Sequence, residues 1–222
     1  PANAFDPLTS NQMFRVLSGD FFELVVLPGL MRRTRPQGSD ITIQVSNITD
    51  ESPKQLLKGD ADMMFDAIPI NDKRIVQEVV HEEELVVIAR RNHPTLKPGE
   101  MTEAEFFSLP HVALADRGRF LLMEFVMGRE LSRRRKIGVQ VSQYSSQLAA
   151  TADSDCIATT PSSLAMLYAE RYQLQVFKFP FPLQPIPIYM MRPKILEQDA
   201  AVNWFVGEFK ATMADMKSRY LI

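Results

Sequence analysis

The sequence has one cysteine, Cys156. No disulfide can form within the chain, and a reducing compartment is expected. No apolar run approaches the ~20 residues that a membrane span needs, and no secretory signal opens the chain. A surplus of positive charge is missing too. The 25 Lys and Arg are set against 27 Asp and Glu, for a formal net charge of -2. Bulk charge therefore gives no support to a nucleic-acid-binding surface, and the one basic run, Arg129 to Lys136, reads as a solvated helix end. Catalytic signatures are absent as well. There is no G-x-S-x-G elbow, no P-loop and no G-x-G-x-x-G. The histidines, His81, His93 and His111, stand in no metal-ligand spacing. Cys156 opens an apolar strand, where a cysteine acts as a small buried hydrophobe. The carboxylates clustered in "DESPK" and "HEEEL" read as solvated faces. No catalytic residue, metal or cofactor is expected, and the balance leans toward binding rather than turnover.

What is there is a core and an alternating order of elements. The 222 residues, 45% of them hydrophobic, suffice for a long single domain or two small lobes. Residues 14–17 read as a short strand and residues 20–34 as a helix. "ITIQVSN" alternates apolar and polar, as a half-buried strand does. "SPKQLLKG" is a short helix with Ser52 as its expected N-cap, Pro53 in its first turn and Gly59 as its stop. "DMMFDAI" and "ELVVIAR" are buried strands. After the loop "NHPTLKPGE" and the capped helix "MTEAEFFSLP", a similar order begins again. It runs through the strand "HVALA", a helix over 119–133, the strand "IGVQVS", the helix "SSQLAATADS", the strand "CIATTP" and the helix "SSLAMLYAERY", capped by Ser162 or Ser163. Two β-α-β-α-β units in tandem predict an α/β fold of two lobes, each a mainly parallel sheet flanked by helices. The proline-rich stretch 175–193 predicts extended edge strands, and residues 197–220 an amphipathic closing helix. The chain opens at Pro1 and is expected to be a piece of a longer protein.

Two local features point to function. The corner Ser18-Gly19-Asp20 carries the first strand into a helix, and ligands of open α/β sheets collect beyond the carboxyl ends of strands. The alternative is that Asp20 only caps its own helix. That helix is apolar all round, from Phe21 to Met31, which predicts burial on both sides. Pro28, past its first turn, should disturb it.

Taken in order, "FDPLTSNQMFRVLSGDF", "LLKGDADMMF", "EELVVIARRNHPTL" and "CIATTPSSLA" resemble the effector-binding domain of LysR-type transcriptional regulators. The branch most resembled contains the nodulation-gene and aromatic-catabolism regulators. The resemblance covers nearly the whole chain. It implies a fold like that of periplasmic binding proteins, with lobe I formed by 1–83 plus 188–222 and lobe II by 84–187, and a small aromatic or organic acid bound between them. It implies an effector site of Ser18, Gly19 and Asp20, then Ser46, Asn47, Phe65 and Asp66. From the second lobe it adds Asp116, Arg117, Gly118 and Arg119, and Tyr144, Ser145 and Thr160. Salicylate-type members have uncharged polar groups and a histidine where this chain has Arg117 and Arg119, and a hydroxyl where it has Gly19. The resemblance also implies a homodimer seam of Phe22, Val26 and Leu30 against Leu164, Leu167 and Tyr168, and a homotetramer for the full-length protein. DNA would be bound only through an N-terminal winged helix-turn-helix outside this chain, in the cytoplasm and with no membrane partner. A transporter's solute-binding protein would share the fold, but the apolar first helix argues against it. A small α/β enzyme lacks a nucleophile or acid–base pair here.

Overall fold

The computed structural model describes residues 5–35, 40–115 and 122–220, the side chains at 217, 219 and 220 excepted. The chain divides into two units, one of Pro1–Glu82 with Pro187–Ile222 and one of Glu83–Ile186.

In the first unit, β1 (Met13–Leu17) passes through Ser18 and Gly19 into a helix that starts at Asp20. Its residues Phe22–Val26 form a π turn before it continues as α1 (Leu27–Thr34). The disturbance expected from Pro28 takes this form. Proline has no N–H for the carbonyl four residues back, and its ring crowds that carbonyl. The turn ahead of it widens, and the Leu27 N–H donates to Phe22 O, five residues back.

β2 (Thr42–Ser46), α2 (Ser52–Lys58) and β3 (Met63–Asp66) follow. Gly59 ends α2 as expected, at φ 78°, with its N–H turned to the carbonyls of Gln55 and Leu56. Ser52 is not the cap. It lies inside the first turn, and its Oγ accepts the Thr49 N–H at 2.9 Å. β4 (Ile75–Glu83) is a nine-residue strand that the sequence reading left unassigned.

The second unit holds β5 (Leu85–Arg90), α3 (Glu103–Ser108), β6 (Pro110–Leu114), α4 (Leu122–Met127) and α5 (Arg129–Arg134). It goes on through β7 (Lys136–Val141), α6 (Tyr144–Ala152), β8 (Ile157–Pro161), α7 (Ser162–Tyr168) and β9 (Leu174–Phe177). Thr102 and Glu105 close a reciprocal capping box on α3. The single helix expected over 119–133 is divided by Gly128, whose φ of 81° ends α4. The chain then returns to the first unit with β10 (Ile186–Pro193) and α8 (Ala200–Tyr220). β10 is not the edge strand its prolines suggested. It lies between β3 and β4, with Pro187 and Pro193 confined to its ends.

The sheet orders are β2-β1-β3-β10-β4 and β7-β6-β8-β5-β9. β1 runs parallel to β2 and β3, and β10 antiparallel to β3. β6 runs parallel to β7 and β8, and β5 antiparallel to β8. One arrangement is thus used twice: a parallel trio with its first strand central, extended by an antiparallel strand.

Aromatic rings fill the first core under α8. Phe14 stacks on Phe205 at 4.5 Å and Phe65 on Phe209 at 4.1 Å. The second core gathers Val87, Ala89, Phe106, Phe107, Met127, Ile157 and Phe177, and the proline-rich run lays Phe179, Phe181 and Leu183 on it. Among the described residues, no helix is long and apolar enough to cross a membrane.

Candidate functional site

β1, β2 and β3 end together, with Leu17 level with Ser46 on one side and with Met64 on the other. Ser18 stitches these ends. Its N–H donates to Ser46 O at 2.9 Å and its Oγ donates to Phe65 O at 3.1 Å. At 4% exposure it is not the open cleft wall that was expected. Its proton is committed to the neighbouring strand.

Gly19 is the open point. A Cβ placed there would meet nothing within 4 Å, while its carbonyl accepts the Phe22 N–H at 3.1 Å and starts the helix. Asp20 is half-buried beside it, and Ser46 and Asn47 are exposed at the end of β2. Asp66 is buried, and its Oδ1 accepts the Ala67 N–H at 2.8 Å. Phe65, expected as an apolar wall for a ligand, points the other way. Its ring lies in the core between Phe22, at 5.0 Å, and Phe209. Strand alternation decides this, because Phe65 faces α8.

In the second unit, the half-buried Tyr144 and Ser145 form the first turn of α6, directly after β7. Thr160, near the end of β8, is 0% exposed. Among the described residues its hydroxyl has no hydrogen-bond partner, an uncommon state that a polar ligand or a water would relieve. Asp116, Arg117, Gly118 and Arg119 lie outside the described residues.

The histidines are structural where their partners are seen. His93 donates from Nε2 to Asp155 O at 3.0 Å and accepts the N–H groups of Thr95 and Leu96 on Nδ1, each at 3.3 Å. It organises the loop after β5. His111 donates from Nε2 to Phe106 O at 2.7 Å. Burial pushes its pKa down to about 4, and nearby Arg135 adds to this. Among the described residues, no three His, Cys, Asp or Glu gather as a metal site.

The residues expected at a dimer seam divide by burial. Phe22, Val26, Leu30 and Leu164 are buried within their own units. The first helix turns Leu24 and Leu27, both half-buried, and Met31, 41% exposed, away from that core. On α7 the outward residues are Met166, 46% exposed, and the half-buried Leu167 and Tyr168.

Glu83 was missed. It was read as one of a solvated acidic run, yet it is 2% exposed. It caps α7 in place of the expected serine. Its Oε1 accepts Ser162 Oγ at 2.9 Å and the Ser163 N–H at 3.0 Å, and its Oε2 accepts Ser163 Oγ at 2.7 Å. No local pattern gave a signal for it, since Gln77 and Val79, at the same parity along β4, are exposed.

A family model described as the LysR substrate binding domain matches residues 10–214. Nodulation protein D 1 of Rhizobium tropici is 26% identical over 206 residues, which cover 91% of this chain and 66% of that protein. The chain thus spans just under two thirds of that relative's length. A probable transcriptional regulator from Pseudomonas aeruginosa has a similar structure, with a TM-score of 0.80 at 24% identity over 94% of this chain and 69% of that one. The effector binding domain of QuiR, in complex with shikimate, matches with a TM-score of 0.71 at 19% identity over 93% of this chain and 99% of that one.

Proposed function

The chain belongs to the LysR substrate-binding domain family, and on that premise we propose that it is the effector-sensing and oligomerising part of a transcriptional regulator, not an enzyme. The effector is a small aromatic or organic acid, the class to which the shikimate bound by QuiR belongs. The observation that carries this reading is Gly19, a residue without a side chain that leaves open space above the joined ends of three strands. Ser18 and the start of the helix hold the backbone there, with Asp20 next in the chain and Ser46 and Asn47 at the end of the neighbouring strand β2 as polar groups for the ligand. Thr160 supports the same role in the second unit, since its buried hydroxyl lacks a partner among the described residues.

A second copy of the chain covers the outward residues of the first helix, Leu24, Leu27 and Met31, with Met166, Leu167 and Tyr168 of α7. The full-length regulator acts in the cytoplasm, assembles as a tetramer and binds DNA through a separate N-terminal domain. The test is a thermal-shift titration with small aromatic and organic acids, shikimate among them, on this chain and on Gly19→Trp. An acid that raises the melting temperature of the chain but not of the folded variant supports the reading. An acid that stabilises both equally binds elsewhere, and a panel without any stabilising acid removes this substrate class.

A further inference from the structure

Two buried side chains of the second unit carry polar atoms without a partner, and the topology brings them to one face of its sheet. β7 and β8 lie on either side of β6 and both run parallel to it. Right-handed crossovers that run in opposite directions put their helices on opposite faces. α4 and α5, which join β6 to β7, bring Met127 and Leu131 to the core of Phe106 and Ile157. α6, which joins β7 to β8, therefore covers the other face. Ile157 points to the Phe106 side, so Thr160, three residues on, points to the α6 side.

Gln147 of α6 is 1% exposed. Its Nε2 donates to Val112 O at 3.0 Å. That bond fixes which way round the amide lies and leaves Oε1 as a pure acceptor. Among the described residues nothing donates to Oε1, and the hydroxyl of the wholly buried Thr160 is in the same state. β6 and β8 pair at His111 and Ile157. Val112 therefore stands level with Ala158, and Thr160 is two residues further along β8, about 7 Å. Buried polar atoms are seldom left this way.

An unpaired acceptor is met only by a donor. An ionised acid group has none, so it is the wrong partner for Gln147. A hydroxyl suits both atoms, since its proton can go to Oε1 and its lone pairs can accept the Thr160 proton.

We propose that Gln147 and Thr160 are specificity-determining residues, which select ligands that carry a hydroxyl besides their acid group. The proposal rests on the sensing reading and narrows its class of acids. A site with buried hydrogen-bonding groups discriminates against the analogue that lacks the hydroxyl, because its own groups are then left unpaired.

The experiment is titration calorimetry with matched acids on this chain, on Thr160→Val and on Gln147→Met. Benzoate is set against the three hydroxybenzoates, and cyclohexenecarboxylate against shikimate. Both variants keep the size of the side chain and remove the polar atom. At least one hydroxylated acid should bind this chain about tenfold tighter than its parent acid or better. In either variant that ratio should fall toward one, with the affinity for the parent acid retained. A preference that survives both substitutions overturns the proposal, as does equal binding of parent and hydroxylated acids to the unmutated chain. Those two outcomes leave the sensing reading standing, whereas a panel in which no acid binds removes both. Should Gln147→Met not fold, since it also frees Val112 O, Thr160→Val removes no bond and decides by the same outcomes.

Discussion

Asp62 binds Arg15 through backbone and side chain at once. Its Oδ2 accepts the Arg15 N–H at 2.7 Å, its Oδ1 accepts Nη2 at 2.7 Å, and its own N–H donates to Arg15 O at 2.9 Å. The entry to β3 is thereby fastened to the middle of β1. The hydrogen bonds that the Arg15 guanidinium donates to Asp62 are the main reason it is held above its ordinary pKa. Asp62→Ala removes the acceptor of a strand N–H and should cost about 2 kcal/mol, with Asp62→Asn costing less. Urea unfolding measures both. A loss below about 0.5 kcal/mol for the alanine variant would show the pair to be ornamental.

Gly59 permits a cleaner test of backbone conformation. Its φ is 78°, and an added Cβ would meet nothing within 4 Å. Gly59→Ala therefore introduces only the left-handed strain, about 1–2 kcal/mol. A variant as stable as the parent in urea would contradict the φ assigned to the end of α2.

His111 sets a pH dependence whose sign can be worked out. Its folded pKa is about 4, below the ordinary value of 6.5, so between those values the unfolded chain binds more protons. Its contribution is fully present above pH 6.5 and is lost as pH falls toward 4, by up to about 1.4 kcal/mol per unit. Urea midpoints from pH 7 to 4 should fall more steeply for the parent than for His111→Gln. Parallel curves would place the acid sensitivity on other groups.

The proposed dimer separates surface from core on a single helix. Met31→Asp and Met166→Glu should leave the chain folded and halve its sedimenting mass. Val26→Asp should unfold the first unit, because it buries an unpaired charge. A dimer mass retained by both surface variants would remove this face as the seam.

Much of the fold was legible because local chemistry and tertiary contacts agree in it. Thr102 and Glu105 announce a capping box and form one. Gly59 announces a helix stop and takes the left-handed conformation that stops need. The failures come from forces absent from short windows. Pro28 predicts a disturbance, but whether the helix breaks or widens depends on the core that holds Val25, Val26 and Leu30. β4 was hidden because its apolar residues do not alternate, with Val79 exposed and Glu83 buried, and its partner, β10, lies about 110 residues further along the chain. At the candidate site the backbone was more legible than the side chains. Strand ends and glycine corners follow from topology, whereas Phe65 turns from ligand wall to core through the pleat alone, and Ser18 loses its openness to a carbonyl on another strand.

The return of the chain to its first unit imposes an order on its synthesis. Residues 83–186 form a continuous unit and can close their core as soon as they leave the ribosome. The earlier strands β1, β2 and β3 cannot do so. Phe14 and Phe65 stack on Phe205 and Phe209, which are made only after the whole second unit. The amino-terminal sheet, with its Gly19 corner, must wait through the translation of an entire neighbour with one face uncovered. Removal of α8 therefore leaves β1, β2 and β3 with their aromatic face uncovered while the second unit stays intact.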